Sequence, residues 1–296
     1  MSGGRYRFVT VDVFASERYA GNPLAVLPEA AGLDGAAMQR IAREFNLSER
    51  AFVLPPEEPG HGARVRIFTP TREMPFAGHP NIGTGFVLAA EMAARGEAVP
   101  EVLLFEEIAG LVPVRPLLEG GVVAGASLEA PQALSRLGGC GAAEVAACLS
   151  LRAEDVVVTG HAPQVVSVGA PFLVAELAGL EALGRVRPDP VAWGGTLPRD
   201  GASSIYAYVR LAEGGLRSRM FTRELYEDPA TGSATATVAA LLLDLSGEER
   251  LSLTVRQGVE MGRASLLRAR AWREGGAVRA GVAGDCAKVM EGWLRG

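Results

Sequence analysis

Two loops, about half the chain apart, carry residue types that could bind a small anion beside a proton-transfer group. The first contains Phe76-Ala77-Gly78-His79-Pro80 and the second contains Asp228-Pro229-Ala230-Thr231-Gly232-Ser233. Each loop follows a β-like segment and precedes an Ala-rich helical segment, so each opens the N-terminus of a helix. Unpaired backbone N–H groups and the helix dipole favour an anion such as a carboxylate there. The loops therefore predict two similar halves, each with an anion-binding helix end.

The elements that must position the first loop are short and mostly β-like. A hairpin is predicted from Tyr6 to Phe14 and from Leu24 to Leu27, followed by a helix over Leu33 to Phe45. A strand over Ala51 to Leu54 comes next, which places Glu49 at the mouth of a strand. The segment from Pro80 to Ala94 is apolar on all sides and rich in glycine, so we expect a helix wrapped by sheet.

The second half repeats this plan. The patterns predict strands over Val165 to Glu176, Ile205 to Arg210 and Ser218 to Phe221. An almost wholly apolar helix follows over Ser233 to Leu243. The repeated unit of strand, loop and buried helix indicates an internal duplication, although few residues of the two helical segments are identical.

Few other groups are available for chemistry. The histidines are isolated from other ligand-type side chains, so a metal site is not expected. Lys288 is the only lysine, which disfavours Schiff-base chemistry and a phosphate-loop lysine. The cysteines, Cys140, Cys148 and Cys286, are odd in number and form no Cys-x-x-Cys pattern, so they support neither disulfides nor zinc. We expect no metal, flavin or nucleotide cofactor, and chemistry from carboxylates, one histidine and the backbone.

The composition is that of a globular protein large enough for two domains. The chain has 296 residues, of which 48% are hydrophobic and 21% are charged. A net charge of −5 and a pI near 5.4, with scattered arginines, provide no basic face, so nucleic acid is not an expected partner. The sequence shows no apolar signal core and no segment that could span a bilayer. We expect a cytoplasmic protein without a membrane partner.

Several short strings span nearly the whole chain in an order and spacing that make coincidence a poor explanation. They are Val11-Asp12-Val13-Phe14, Gly21-Asn22-Pro23-Leu24-Ala25-Val26, Asn46-Leu47-Ser48-Glu49, Phe76-Ala77-Gly78-His79-Pro80, Asp228-Pro229-Ala230-Thr231-Gly232-Ser233, Gln257-Gly258 and Met261-Gly262-Arg263. Together they resemble the PhzF-like (phenazine biosynthesis protein F) family of cofactor-independent isomerases, which are relatives in fold of diaminopimelate epimerase.

The resemblance implies an α+β fold of two pseudo-symmetric lobes, each a curved, mostly antiparallel β-sheet around a central helix. The active site would lie in the cleft between the lobes. We expect an N-terminal lobe over residues 1–118, with the C-terminal strand 285–296 as a candidate to return to it, and a C-terminal lobe over residues 119–284. The resemblance also implies a homodimer.

Glu49 resembles the family's catalytic carboxylate, which takes a proton from one substrate carbon and returns it to another. Its neighbours Phe45, Leu47, Ala51 and Phe52 are apolar, and desolvation by such residues raises a carboxyl pKa toward the range useful for acid–base catalysis. Without the resemblance, an exposed glutamate at a helix-to-strand turn is the simpler interpretation.

The remaining site residues come from the two loops. His79 and Asp228 resemble the family's cleft residues that position the substrate and its proton, one from each lobe. Taken alone, His79 could be merely hydrogen-bonded, and Asp228 could cap the helix that follows it. Ser233 and the backbone N–H groups near Gly232 and Gly78 would hold a substrate carboxylate.

The epimerase relatives carry a cysteine in each of the two loops, whereas neither loop of this chain contains one. A two-thiol racemase mechanism is therefore disfavoured. We expect an isomerase that moves a proton between carbons of a small, cyclic or unsaturated carboxylic acid by means of a single carboxylate. The alternatives are a catalytically idle protein that binds small acids, and a lyase or hydrolase that uses the same cleft.

Overall fold

The computed structural model describes residues 4–295, which divide into two compact units. The first unit contains the residues up to Glu129 and those from Ala283 onward, and the second contains Ala130–Val282. The boundary thus follows residue 129 rather than residue 118, where the sequence analysis placed it. The reason is that strands Gly110–Glu119 and Val122–Glu129 form a hairpin, which keeps both strands in the first unit. The C-terminal strand does group with that unit.

The first unit is a sheet that closes around a helix. Strand β1 pairs with β2, and the sheet continues through β3, β4, β6, β7 and β8, with the C-terminal strand β18 pairing with both β8 and β1. The elements are β1 (Arg5–Val13), β2 (Asn22–Leu27), α1 (Gly35–Phe45), β3 (Glu49–Leu54), β4 (Ala63–Phe68), β5 (Glu73–Met74), α2 (Gly78–Ala94), β6 (Leu103–Glu107), β7 (Gly110–Glu119), β8 (Val122–Glu129) and, from the end of the chain, β18 (Ala277–Arg295). The part of β18 from Ala283 onward belongs to this unit, and the part before it belongs to the second.

Helix α2 is the core of this closed sheet. It contacts β1, β2, β7 and β8, and the whole of its first half is buried. Gly83 allows the close approach, since a Cβ there would lie 2.5 Å from Leu24 Cδ2 and 2.8 Å from Val13 Cγ2. The predicted central helix from Pro80 is confirmed, and it begins two residues earlier, at Gly78.

The second unit is built on a sheet in the order β9, β11, β12, β13, β14, β16, β17. Helix α6 is buried against β11, β12, β16 and β17, which confirms the predicted second central helix. The elements are β9 (Ser135–Gly139), α3 (Ala142–Cys148), β10 (Val156–Val157), β11 (Gln164–Ser167), β12 (Pro171–Leu177), α4 (Leu180–Arg185), α5 (Pro190–Thr196), β13 (Ile205–Arg210), β14 (Leu216–Phe221), β15 (Glu227–Asp228), α6 (Gly232–Ser246), β16 (Arg250–Gln257) and β17 (Ser265–Glu274).

One strand prediction in this unit is wrong. The run from Val165 to Glu176 is two antiparallel strands, β11 and β12, rather than one. The chain reverses at Gly169, whose φ of +146° suits glycine and is unfavourable for other residues.

No helix within residues 4–295 has the length and apolar character needed to cross a membrane.

The two units share one strand plan, which confirms the internal duplication. In the first unit, β1–β2 is antiparallel, β2–β3 parallel, β3–β4 antiparallel, β4–β6 parallel and β6–β7 antiparallel. In the second unit, β11–β12 is antiparallel, β12–β13 parallel, β13–β14 antiparallel, β14–β16 parallel and β16–β17 antiparallel. Each central helix follows the equivalent short strand, β5 or β15.

A repeated ion pair holds the loop before each central helix. Arg66 makes a two-pronged hydrogen bond to Glu73, with both N···O distances 2.7 Å. Arg219 makes the same contact with Glu227, with both distances 2.8 Å. Fork-to-fork pairing of this kind fixes orientation as well as distance. The pairs therefore set the path of each loop toward its helix. They also show which residues are equivalent in the two units, since Arg66 corresponds to Arg219 and Glu73 to Glu227.

Candidate functional site

Glu49 is the first residue of β3 and is held there from both sides. Helix α1 ends in a left-handed residue, Asn46, with φ of 49° and ψ of 33°, which reverses the chain toward the strand. The Ser48 hydroxyl donates to the Asn22 side-chain oxygen at 3.2 Å. The backbone of Glu49 is registered opposite Leu24 of β2. The carboxylate is half-buried at a fixed strand end, in agreement with its predicted position.

Arg50, the next residue, is fully buried, although nothing in the sequence pattern singles it out. Its Nη1 donates to the backbone oxygen of Leu47, which braces the turn that leads into Glu49. Burial lowers the pKa of Arg50 to about 10, and the nearby Glu49 carboxylate opposes that shift. Arg50 therefore retains its positive charge at neutral pH and contributes to the electrostatic environment of Glu49.

His79 lies in the first turn of α2 and faces Glu49. The distance from His79 Nε2 to Glu49 Oε2 is 3.7 Å, longer than a hydrogen bond between these atoms. Nε2 is buried and has no hydrogen-bond partner. Burial lowers the pKa of His79 to about 3, so the ring is neutral at physiological pH. The pair is therefore a carboxylate beside a neutral imidazole rather than an ion pair.

The start of α2 leaves backbone donors without a side-chain cap. Its N-cap residue is Ala77, which has no hydrogen-bonding side chain, and Gly78 is the first residue of the helix. The first N–H groups of such a helix favour an anion. Gly78 and His79 thus place uncapped donors and a neutral imidazole within the same turn.

In the second unit, Asp228 ends β15 and is tied to the start of α6. The Thr231 hydroxyl donates to Asp228 Oδ2 at 2.5 Å. Gln257, which is fully buried, donates from Nε2 to the Asp228 backbone oxygen at 2.8 Å and to Thr231 Oγ1 at 3.0 Å. Its Oε1 accepts from the Thr231 backbone N–H at 3.1 Å. One glutamine side chain therefore fixes the whole turn that carries Asp228.

Helix α6 begins at Gly232, and Ser233 is its half-buried second residue. Its N-cap, Thr231, makes no side-chain cap because the hydroxyl is used by Asp228. The start of α6 thus matches that of α2.

The predicted site residues form one group in each unit. Glu49, Gly78 and His79 lie together in the first unit, and Asp228, Gly232 and Ser233 lie together in the second. Their assembly into one active site remains a prediction. Among residues 4–295, no cluster of three or more His, Cys, Asp and Glu side chains is suited to hold a metal ion.

Glu107 was also missed. It ends β6, and its carboxyl oxygens are buried without a hydrogen-bond partner of normal geometry. Burial raises the pKa of this carboxyl to about 8, against the opposing effect of the neighbouring Asn81 side chain. No sequence signal singles it out, because Glu107 directly follows Glu106, a second acid at the same strand end.

A family model describing phenazine biosynthesis-like proteins (PhzC-PhzF) matches residues 11–292. Among similar sequences, an uncharacterized isomerase of Mesorhizobium japonicum is 40% identical over 97% of this chain and 98% of its own length. A trans-2,3-dihydro-3-hydroxyanthranilate isomerase of Pseudomonas aeruginosa is 37% identical over the same shares, 97% and 98%.

Among solved structures, a phenazine biosynthesis protein of Bacillus anthracis superimposes with a TM-score of 0.87. It is 22% identical in sequence, with 98% of this chain and 99% of that chain covered. This likeness confirms the expected fold, two similar α+β halves of the diaminopimelate epimerase type.

Proposed function

Because this chain belongs to the PhzF-like family of phenazine biosynthesis-like isomerases, we propose that it moves a proton between two carbons of a small carboxylic acid. The observation that carries this proposal is the Glu49 carboxylate 3.7 Å from the neutral, buried imidazole of His79. An acid–base pair of this kind at an uncapped helix start suits proton transfer next to a bound anion.

In the proposed reaction, the Glu49 carboxylate removes a proton from one carbon of the substrate. The electron pair left behind moves through the adjacent double bond, and the negative charge is shared with the substrate carboxylate. Glu49, now protonated, returns the proton to a different carbon. The double bond has shifted, the atoms balance, and no electrons leave the substrate.

His79 has a separate role in this scheme. Since its imidazole is neutral, it can donate or accept one hydrogen bond without bringing in a second charge. Nε2 has no partner within the protein, so it is available to a substrate group. We assign His79 to orient the substrate and assist the movement of the proton that Glu49 carries.

Asp228, Gly232 and Ser233 supply the second half of the proposed site. The Gly232 backbone and the Ser233 side chain lie in the uncapped first turn of α6 and would bind the substrate carboxylate. Asp228, fixed by Gln257 and Thr231, would position the substrate's proton. This assignment requires that both helix starts face one substrate.

The name of the Pseudomonas aeruginosa relative describes a ring that carries a carboxylate, a hydroxyl, an amino group and two double bonds. We infer that this chain acts on a cyclic, unsaturated carboxylic acid of similar size. Such a substrate has an acidic C–H and a conjugated system through which charge can move, which are the two properties that the reaction needs.

The test is proton NMR of trans-2,3-dihydro-3-hydroxyanthranilate and related cyclic acids with the enzyme in D2O. The proposal predicts a shifted double bond, with deuterium at the receiving carbon to the extent that protonated Glu49 exchanges with solvent before it returns the proton, and little reaction of the matching methyl esters. Binding with neither a double-bond shift nor exchange would indicate an idle acid-binding protein. Loss of water or cleavage of a bond would indicate a lyase or a hydrolase. Either result would contradict the isomerase proposal.

A further inference from the structure

Glu107 and Gln257 occupy the same position in the two units. Strand β6 runs parallel to β4 with Arg64 opposite Glu106, and β16 runs parallel to β14 with Arg217 opposite Arg256. The repeated ion pairs align Arg66 with Arg219, and therefore Arg64 with Arg217. It follows that the next residues along β6 and β16 are equivalent, and these are Glu107 and Gln257.

The surrounding loops match as well. Pro75 and Pro229 precede the central helices at equivalent positions, and the backbone oxygen of each accepts a hydrogen bond from the following hairpin. The donor is the Ala109 backbone N–H at 3.1 Å in the first unit and the Ser265 hydroxyl at 2.9 Å in the second. Each loop is therefore supported from the same side, next to Glu107 or Gln257.

We propose that Glu107 is a positioning residue that works as a protonated carboxylic acid, the counterpart of Gln257, and holds the loop and first turn that present His79. A carboxylic acid has the shape of a glutamine amide, with one acceptor oxygen and one donor. In that form it can hydrogen-bond within a buried loop without the cost of a buried charge.

The surroundings of Glu107 favour a neutral group on balance, because burial outweighs the Asn81 hydrogen bond, which alone would favour the charged form. Both carboxyl oxygens are buried with no partner of normal geometry, and so is the side-chain oxygen of Asn81. Asn81 donates its amide to the Ala77 backbone oxygen at 3.1 Å, which leaves its own oxygen in need of a donor. The proton of a neutral Glu107 supplies a donor that an ionised carboxylate lacks.

The charged groups on the neighbouring elements are engaged elsewhere. On β4, Arg64 pairs with Glu57 and Arg66 pairs with Glu73. On β6, Glu106 points to the opposite face of the strand and pairs with His61. On α2, His79 is neutral and Glu91 pairs with Arg7. On β7, Arg115 pairs with Glu101 and Glu119 is exposed. No cation among these groups compensates a charge on Glu107, in keeping with the pKa of about 8 that burial gives it.

This inference rests on the proposed function only in giving the held residue, His79, a role in catalysis. Its test needs no substrate. Glutamate labelled with ¹³C at the side-chain carboxyl is followed by NMR through a pH titration, and Glu107→Gln identifies the Glu107 signal by its disappearance. The proposal predicts a signal that is protonated at mildly acidic pH and titrates near pH 8. A Glu107 signal that titrates in the ordinary carboxyl range would overturn it.

The positioning role is tested by hydrogen exchange at the amides of the first turn of α2. Corrected for intrinsic rates, wild-type protection is expected to fall about tenfold or more at mildly alkaline pH, where Glu107 ionises. Glu107→Gln keeps the neutral shape and should retain protection at both pH values, whereas Glu107→Ala should lose it at both. Glu106→Gln, on the opposite face of β6, is the matched control. Its amide protection in the first turn of α2 should fall at mildly alkaline pH, as that of the wild type does. Equal loss in wild type and Glu107→Gln would overturn the proposal.

Discussion

The Nε2 atom of His79 lies 3.7 Å from Oε2 of Glu49, with no hydrogen bond between them and no other partner for the buried nitrogen. The two side chains come from the start of α2 and the start of β3. Strand β3 belongs to the closed sheet of the first unit and α2 is the helix that this sheet encloses, so the separation of the two side chains is set by regular structure. This placement suits a site that must hold a carboxylate and a neutral imidazole at a defined distance.

The first prediction concerns stability in acid. The pKa of His79 is about 3 in the folded state, whereas an unfolded histidine titrates near pH 6.5. Between these values the unfolded chain binds one more proton than the native one, so stability falls as the pH is lowered. Within this window, His79 is expected to lower the free energy of unfolding by about 1.4 kcal/mol for each pH unit of acidification.

Urea unfolding at several pH values measures this contribution, with His79→Gln as the variant. The variant should show a shallower loss of stability from near neutral pH down to the acid end of the window. His61→Gln is the control, because His61 is less buried and pairs with Glu106. An unchanged slope in His79→Gln would show that His79 is not held neutral by burial.

The parts of the fold and site that can be predicted from the sequence are those with a local cause. The central helices follow from long apolar runs around Gly83 and Ala239, which no surface helix would carry. Glu49 and His79 were identified by resemblance, and their proximity within one unit agrees with it. The start of α2 was placed two residues late because Gly78-His79-Pro80 has the composition of a turn, although proline is well tolerated in a first helical turn.

The properties that the sequence does not reveal depend on tertiary contacts. Glu106 and Glu107 are adjacent acids at a strand end, and the sequence gives no reason to treat them differently. The fold buries one and gives the other two backbone N–H donors, from Glu57 and Glu58. Burial raises the pKa of Glu107, and these hydrogen bonds lower the pKa of Glu106 to about 2.

The second prediction compares the two repeated ion pairs. Glu227→Ala should destabilise the protein by about 3–5 kcal/mol, because it leaves the guanidinium of Arg219 buried without its carboxylate. The Arg219 side chain is only 5% exposed. Glu73→Ala should cost about 1 kcal/mol, because the Arg66 side chain is 23% exposed and water can replace its partner. Urea unfolding of the two variants measures the difference, and equal costs would contradict the argument from burial.

The third prediction concerns the Gln257 clamp. Gln257→Leu keeps the volume but leaves the Thr231 N–H and the Asp228 backbone oxygen without their partner. We expect a loss of about 1–3 kcal/mol in the free energy of unfolding and faster amide exchange around Asp228. Gln39→Leu is a suitable control, since Gln39 makes a single bond to the Thr69 backbone oxygen in a half-buried position. Stability of Gln257→Leu within a few tenths of a kcal/mol of the wild type would refute the clamp.

The fourth prediction tests the close packing of α2. Gly83→Ala would bring a Cβ to 2.5 Å from Leu24 Cδ2, so overpacking should destabilise the protein by about 1–3 kcal/mol. Gly184 lies within α4 with no atom within 4 Å of its added Cβ. Gly184→Ala should therefore be neutral or stabilising by up to about 1 kcal/mol. Thermal unfolding of both variants checks this, and the opposite order would mean that the sheet leaves room beside Gly83.

The most direct test of the proposed mechanism is Glu49→Gln. The substitution keeps the shape of the side chain and removes its basic form, so substrate binding should persist while deuterium exchange and turnover fall about 10²–10⁴-fold. Glu44→Gln, an exposed glutamate on α1, is the control and should behave as the wild type. Exchange at the acidic carbon is measured by NMR in D2O with a substrate that the wild type turns over. A Glu49→Gln protein that exchanges and turns over within a few-fold of the wild type would exclude Glu49 as the base.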